Sequence, residues 1–109
     1  MIEIKVDRDD KNKITAFSMS GHADSGPYGY DLVCAGASAV SFGAVNAVDA
    51  LCEVDLDVEL ADEGGYLFCK VPGGLIEQTS GEVQLLLEGM LVSLQTIAEQ
   101  YGDHITILD

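Results

Sequence analysis

The chain has 109 residues, the length of one domain with a modest core, so a two-domain enzyme is not expected and a single domain is predicted over residues 1–109. Its 19 acidic and 5 basic residues give a formal net charge of -14, which disfavours nucleic acid and anionic lipid as partners. A basic peptide or protein matches this charge better, although the acidity could serve solubility alone. We find no apolar run that predicts a membrane span and no signal peptide, so a cytoplasmic protein is expected.

The first elements predicted along the chain are two strands and a helix. Apolar residues alternate with polar ones over residues 2–6, a polar cluster at 9–12 turns the chain, and a second strand follows at 14–19. Residues 32–51 are nearly all small or apolar, which is typical of a helix buried on most sides. These elements predict a hairpin followed by a core helix.

The second half repeats this order. Apolar and acidic residues alternate over 54–60, which predicts a strand with one buried and one exposed face. Glycines at 64 and 65 predict a turn over 63–65, and residues 66–71 return as the partner strand. A second helix and a final strand at 104–108 complete the order ββαββαβ. The predicted fold is an α+β sandwich, a small mixed or antiparallel sheet packed with two helices.

The second helix carries two further signals. Thr79 and Glu82 have the spacing of a capping box, so the helix is expected to begin there. Leu85, Leu91 and Val92 make the helix apolar beyond one core stripe. This surplus indicates either a homodimer face or a helix clamped between the sheet and a loop, and the pattern does not decide between them.

His22 and Cys34 are the residues that could carry chemistry. His22 falls where the second strand ends, and Cys34 falls in the first turn of the first helix, so the two can meet at one rim of the sheet. A thiol in a first helical turn is favoured as thiolate, and an imidazole beside it can accept the proton. Spacing alone leaves the alternative open that Cys34 is a core residue and His22 a simple hydrogen-bonding side chain.

The neighbouring polar residues allow other interpretations. Asp31 precedes Cys34 by three residues, which is the spacing of a helix N-cap, although its carboxylate could instead orient His22. Three cysteines without a Cys-x-x-Cys pair indicate neither disulfides nor a zinc ribbon. Cys52 and Cys69 are interpreted as core residues. A metal site at His22 and Cys34 would lack paired ligand spacing, so no metal and no cofactor is predicted.

A longer motif surrounds these two residues. Gly21-His22-Ala23, then Asp31-Leu32-Val33-Cys34-Ala35, then Ala37-Ser38-Ala39 resemble the ribosomal-processing cysteine protease family, Prp, of Firmicutes and related bacteria. The likeness extends over the whole chain. It implies an endopeptidase that cleaves the N-terminal extension from the precursor of a large-subunit ribosomal protein. It also implies that Cys34 is the nucleophile and His22 its base, with Asp31 and Ser38 as supporting positions.

The resemblance also assigns a role to the segment between His22 and Cys34. In the family this segment is a mobile loop that contains glycine, and here it comprises Asp24, Ser25, Gly26, Pro27, Tyr28, Gly29 and Tyr30. Two glycines permit the dihedral changes of a lid, and the tyrosines could contact substrate or simply pack on the surface. At position 36 the resemblance implies a small residue that is larger than glycine, whereas this chain has Gly36. The alternative function is a non-catalytic ribosome-assembly module that binds a basic ribosomal-protein tail.

Overall fold

The computed structural model describes residues 1–21, 31–61 and 65–109. Its elements form a five-stranded mixed sheet and two helices in the predicted order ββαββαβ. They are β1 (Ile2–Arg8), β2 (Ile14–Ser20), α1 (Leu32–Cys52), β3 (Asp57–Leu60), β4 (Tyr66–Lys70), α2 (Glu77–Gln100) and β5 (Ile105–Leu108). The prediction of an α+β sandwich is confirmed.

The strands lie in the order β3-β4-β2-β1-β5, antiparallel except for the parallel pair of β1 and β5. The register places Val6 opposite Phe17, and Phe17 opposite Cys69, so these buried side chains share one face of the sheet. Glu3 and Lys5 alternate onto the other face. The period-two pattern of the sequence therefore gives the sheet one apolar face, which the helices cover.

A β-bulge marks the hairpin end of β1 and β2. Asp7 pairs with Ala16 but Arg8 pairs with Ile14, which leaves Thr15 as an extra residue in β2. Ile14 is fully buried, and the Gln84 side chain of α2 both accepts from its N–H and donates to its C=O at 2.8 Å. The Gln84 side chain thus links the bulged end of β2 directly to α2.

The two helices pack against each other and bury their inner sides on the sheet. The core cluster contains Val33, Ala37 and Val48 of α1 together with Val83, Leu87 and Leu94 of α2. By length and composition α1 could cross a bilayer, so the expectation that no segment has that character is wrong. Only four of its 21 residues are buried, so the prediction of a helix buried on most sides is wrong, and core packing accounts for only part of its apolar composition.

The start of α2 differs from the prediction. The helix begins at Glu77 after Ile76, which makes no side-chain cap, so Thr79 lies inside the helix and the predicted capping box does not form its start. Leu91 is a core residue, whereas Leu85 and Val92 are 74% and 60% exposed. Only part of the expected apolar surplus is therefore on the surface.

The third strand also differs. Val54 and Leu56 are buried as predicted, but both precede β3, and all four strand residues are exposed. The reason is that β3 is an edge strand, so Val58 and Leu60 are only partly covered although they lie on the helix-covered face. The predicted turn at 63–65 falls largely outside the described residues.

Candidate active site

The site is built where α1 begins. Asp31 has an extended backbone, and its Oδ1 accepts a hydrogen bond from the Cys34 N–H at 2.9 Å, so it caps the helix as its spacing predicts. Cys34 consequently lies in the first turn, where the unpaired amide dipoles make the local potential positive. The Asp31 carboxylate at the N-cap opposes part of this effect, and the first turn itself contains no further acidic residue.

The Cys34 side chain is half-buried and lines a cavity of about 400 Å³. The walls come from α1 and from the ends of four strands and the segments beside them: Ile2, Met19, Gly21, Cys34, Ser38, Phe42, Leu60, Ala61, Gly65, Tyr66 and Leu67. Most of these groups are apolar. A cavity of this size that joins an apolar wall to a thiol can hold a few residues of a peptide next to a nucleophile.

Three residues of α1 share this wall. Cys34, Ser38 and Phe42 follow one another at intervals of four residues, so they lie along one face of the helix. Ser38 is thus one turn beyond Cys34 in the same cavity. Phe42 was not singled out from the sequence, although its spacing from Cys34 is a signal that could have found it.

The opposite wall comes from residues that are distant in sequence. Met19 lies near the end of β2, and its sulfur is 3.9 Å from the buried Ser41 hydroxyl of α1. The N–H of Gly21 donates to the Gly65 carbonyl at 2.9 Å and so joins the chain after β2 to the segment before β4. This contact lies at the last residue of the described N-terminal segment, and both of its residues line the cavity.

His22 and residues 24–30 lie outside the described residues. The structure fixes the chain on both sides of them. Gly21 lines the cavity, and Asp31 caps the helix that carries Cys34. His22 is therefore the next residue in sequence after Gly21, which lines the cavity.

Comparison with known proteins gives this geometry a context. The family model described as "Cysteine protease Prp" matches residues 1–106. The chain belongs to the Prp family of cysteine proteases. It is 44% identical over 107 residues to the ribosomal processing cysteine protease Prp of Staphylococcus aureus (strain Mu50), covering 98% of this chain and 97% of that one. The corresponding Bacillus subtilis protein is 41% identical, covering 98% and 96%.

A solved structure extends the comparison to the fold. The crystal structure of the S. aureus Prp protease with a covalently linked product peptide is similar at a TM-score of 0.90 and 44% identity, covering 99% of this chain and 98% of that one. A peptide joined covalently to that relative matches the chemistry of a thiol protease.

As a member of the Prp family the chain needs a reactive thiol, and its three cysteines differ in their surroundings. Burial in the core raises the pKa of the Cys69 thiol to about 11, which keeps it protonated and inert at neutral pH. Cys52 is half-buried but ends α1, far along the helix from the cavity. Cys34 combines a first-turn position with access to the cavity.

Among the residues that the structure describes, no other candidate metal ligands gather around the thiol. His104 precedes β5, where its carbonyl accepts from the Ile2 N–H at 2.8 Å, and it is not among the residues that line the cavity. Within residues 1–21, 31–61 and 65–109, no group of three or more His, Cys, Asp and Glu side chains is arranged to hold a metal ion.

Proposed function

We propose that the chain is a cysteine endopeptidase that removes the N-terminal extension from the precursor of a large-subunit ribosomal protein. The observation that carries the proposal is the position of Cys34, in the first turn of α1 and on the wall of a cavity large enough for peptide side chains. The named activity of the S. aureus and B. subtilis relatives, which process ribosomal protein, supplies the substrate class.

In the proposed reaction the Cys34 thiolate attacks the scissile carbonyl while His22 holds the thiol proton. The sulfur–carbon bond forms, and the carbonyl electrons move to oxygen. His22 then gives the proton to the leaving amine, the carbon–nitrogen bond breaks, and an acyl-enzyme remains. Water deprotonated by His22 attacks that thioester and releases the new carboxyl end. The assignment of His22 rests on the sequence motif and on the position of Gly21 in the cavity wall.

The capping bond restricts where the oxyanion can be held. The Cys34 N–H donates to Asp31 in the ligand-free protein, so it could serve the oxyanion only by giving up the capping bond. Other amides or side chains near the thiol are then the better donors for the developing negative charge. Ser38 Oγ is one candidate, because it lines the same cavity one turn away. Residues 24–30 are proposed to contact the substrate, on the strength of the family motif and their place in the chain.

The proposed substrate suits the charge of the protein. A body at -14 attracts an unassembled ribosomal protein rich in Lys and Arg, whereas it is repelled by ribosomal RNA. We therefore place the reaction in the cytoplasm, on the free precursor. Cleavage of full-length precursor should lose kcat/KM as salt rises toward 0.15 M, where fields are screened within roughly 8 Å, while a short neutral peptide should be unaffected. Salt-independent cleavage of the free precursor would assign the acidity to solubility.

Mass spectrometry of the precursor after incubation with the protein tests the proposal. The wild-type protein should release the N-terminal extension, and Cys34→Ala should not. Cys52→Ala is the matched control, because it removes the other half-buried thiol of the same helix and should leave cleavage intact. Cleavage by folded Cys34→Ala protein would overturn the proposal. Tight binding of the precursor without cleavage by the wild type would favour the non-catalytic binding module instead.

A further inference from the structure

The outer edge of β3 carries apolar side chains that the rest of the described chain leaves partly uncovered. Val58 and Leu60 are 37% and 58% exposed, although the register places them opposite the buried Cys69 and Leu67 on the helix-covered face. Leu60 also lines the cavity that contains Cys34. The exposed edge is therefore continuous with the candidate active site.

The backbone of the same two residues points outward. The Ala61 N–H donates to the Tyr66 carbonyl at 3.3 Å, which makes this pair a hydrogen-bonded pair of the antiparallel ladder. Since bonded and non-bonded pairs alternate, Glu59 and Asp57 also face β4, and the N–H and C=O groups of Val58 and Leu60 are directed away from it. Among the described strands β3 is terminal in the sheet, so no described strand pairs with these groups and they can accept an added one.

We propose that the peptide substrate binds as an added strand along the outer edge of β3, with its scissile bond at the Leu60 end, beside Cys34. This inference rests on the proposed function and specifies how the substrate docks. An endopeptidase must hold its substrate backbone extended across the nucleophile, and an edge strand that enters the cavity provides hydrogen bonds for an extended backbone of any sequence.

The side chains of β3 determine which sequence fits. A residue of the added strand on the helix-covered face lies beside Val58 or Leu60, and Phe42 lines the same cavity as Leu60. A residue on the other face lies beside Asp57 or Glu59, which are exposed. Acidic side chains on an edge strand discourage pairing with a second acidic copy. They favour a peptide with apolar residues alternating with basic or neutral polar ones.

The length of β3 limits the contact. Four residues at about 3.3 Å each give roughly 13 Å of edge, enough for about four substrate residues on one side of the scissile bond. Only every second residue of that stretch directs its N–H toward β3. If the peptide docks as a strand, its N–H groups should contribute to binding at every second residue. Binding through side chains alone would not give this alternation.

The first test is an N-methyl scan of a synthetic peptide that covers the cleaved junction of the ribosomal precursor. Binding to Cys34→Ala protein is followed by fluorescence polarisation, so that turnover does not intervene. Methylation should weaken binding about 2- to 10-fold at alternate positions over about four residues and have little effect at the positions between them. Losses that track side-chain size, or no alternation on either side of the scissile bond, would overturn the docking mode.

A second test changes the protein. Leu60→Ala removes the side chain, while Leu60→Pro also removes the outward N–H without removing a donor to β4, and proline is tolerated at sheet edges. Both variants should keep the wild-type circular dichroism spectrum. Leu60→Pro should raise KM for the junction peptide several-fold more than Leu60→Ala. Equal KM values for the two folded variants would contradict the inference.

The outcomes separate this inference from the function on which it rests. If the wild-type protein cleaves the junction peptide but the N-methyl effects on binding do not alternate, only the docking mode is contradicted. If the N-methyl effects alternate but the wild-type protein does not cleave the peptide, the docking mode is supported and the proposed protease activity is contradicted. A change of oligomeric state in Leu60→Pro, seen by sedimentation, would assign the edge to a second copy of the chain and overturn the inference.

Discussion

The two ends of β1 are built in opposite ways. At its first residue, Ile2 borders the cavity that contains Cys34, and the surrounding strand ends are apolar and partly open. At its last residue, Arg8 is held by two carboxylates from elsewhere in the chain. We refer to these as the open end and the closed end of the sheet.

The closed end ties three elements together. Arg8 donates to both carboxylate oxygens of Glu88 on α2, at 2.8 and 3.0 Å, and to both oxygens of Asp109 after β5, also at 2.8 and 3.0 Å. The Arg8 side chain is 19% exposed and those of Glu88 and Asp109 are 43% and 28% exposed, so the paired bonds have good geometry but are only partly shielded from solvent. Bonds between elements therefore dominate the closed end, whereas the open end carries the cavity and the exposed strand edge.

The largest expected effect comes from the open end. Cys34→Ser should reduce peptide cleavage by a factor of at least about 10³, because a hydroxyl cannot replace the thiolate as nucleophile. Its melting temperature should stay close to that of the wild type, since Cys34 is only half-buried. His22→Ala should be nearly as damaging to cleavage. Active, folded Cys34→Ser protein would remove Cys34 from the mechanism.

Arg8→Met should lower stability and leave catalysis unchanged, which is the opposite of the effect expected for Cys34→Ser. The substitution keeps much of the apolar stem but leaves Glu88 and Asp109 without their partner, and we expect a loss of about 1–3 kcal/mol in the free energy of unfolding by urea. Lys5→Met is the matched control, because the exposed Lys5–Glu3 pair at 3.5 Å should contribute no more than about 0.5 kcal/mol. The kcat/KM of the folded fraction should not change. A large loss of kcat/KM would show that the two ends are coupled.

Acid should weaken the closed end. The Arg8 guanidinium, by hydrogen bonding, lowers the pKa of Glu88 below its usual 4.5 and that of Asp109 below its usual 3.8. Because both folded-state values are depressed, their stabilising effect is fully present above pH about 4.5 and is lost as pH falls through the lower folded-state values. Urea unfolding from pH 6 downward should show a smaller acid-induced loss in Arg8→Met than in the wild type. Parallel curves would contradict this linkage.

The elements were predictable where the sequence carries local signals. The start of α1 follows from the cap at Asp31, and its end at Cys52 is one residue beyond the predicted helix. The start of α2 was not found, because Thr79 and Glu82 have the spacing of a cap but lie inside a helix that begins at Glu77. A local motif shows what can cap a helix, whereas the path of the preceding chain determines where the helix begins.

Burial and the cavity depend on tertiary position, which local patterns do not contain. The alternation over 54–60 is the same whether the strand is central or terminal, so it could not show that Val58 and Leu60 lie on an edge. The cavity walls beyond Cys34, Ser38 and Phe42 of α1 come from β1, β2, β3 and β4 and the segments beside them. The predicted elements allowed His22 and Cys34 to meet, but only the family motif assigned them as a catalytic pair, since their spacing alone is compatible with two structural residues.

The smallest predicted effect concerns Asp31, which belongs to both the stability and the chemistry of the open end. Its Oδ1 caps α1 through the Cys34 N–H, so Asp31→Ala should cost about 1 kcal/mol of unfolding free energy, whereas Asp31→Asn keeps an acceptor and should cost little. The two variants separate capping from charge.

If the carboxylate only caps, Asp31→Asn should retain the wild-type kcat and pH profile for the junction peptide. If it also orients His22, Asp31→Asn should lower kcat and shift the acidic limb of the kcat/KM profile, because the imidazolium loses a negative neighbour. We expect the first result, since the carboxylate already accepts the N–H of the nucleophile itself. A shifted profile in a variant of unchanged stability would instead make Asp31 a positioning residue.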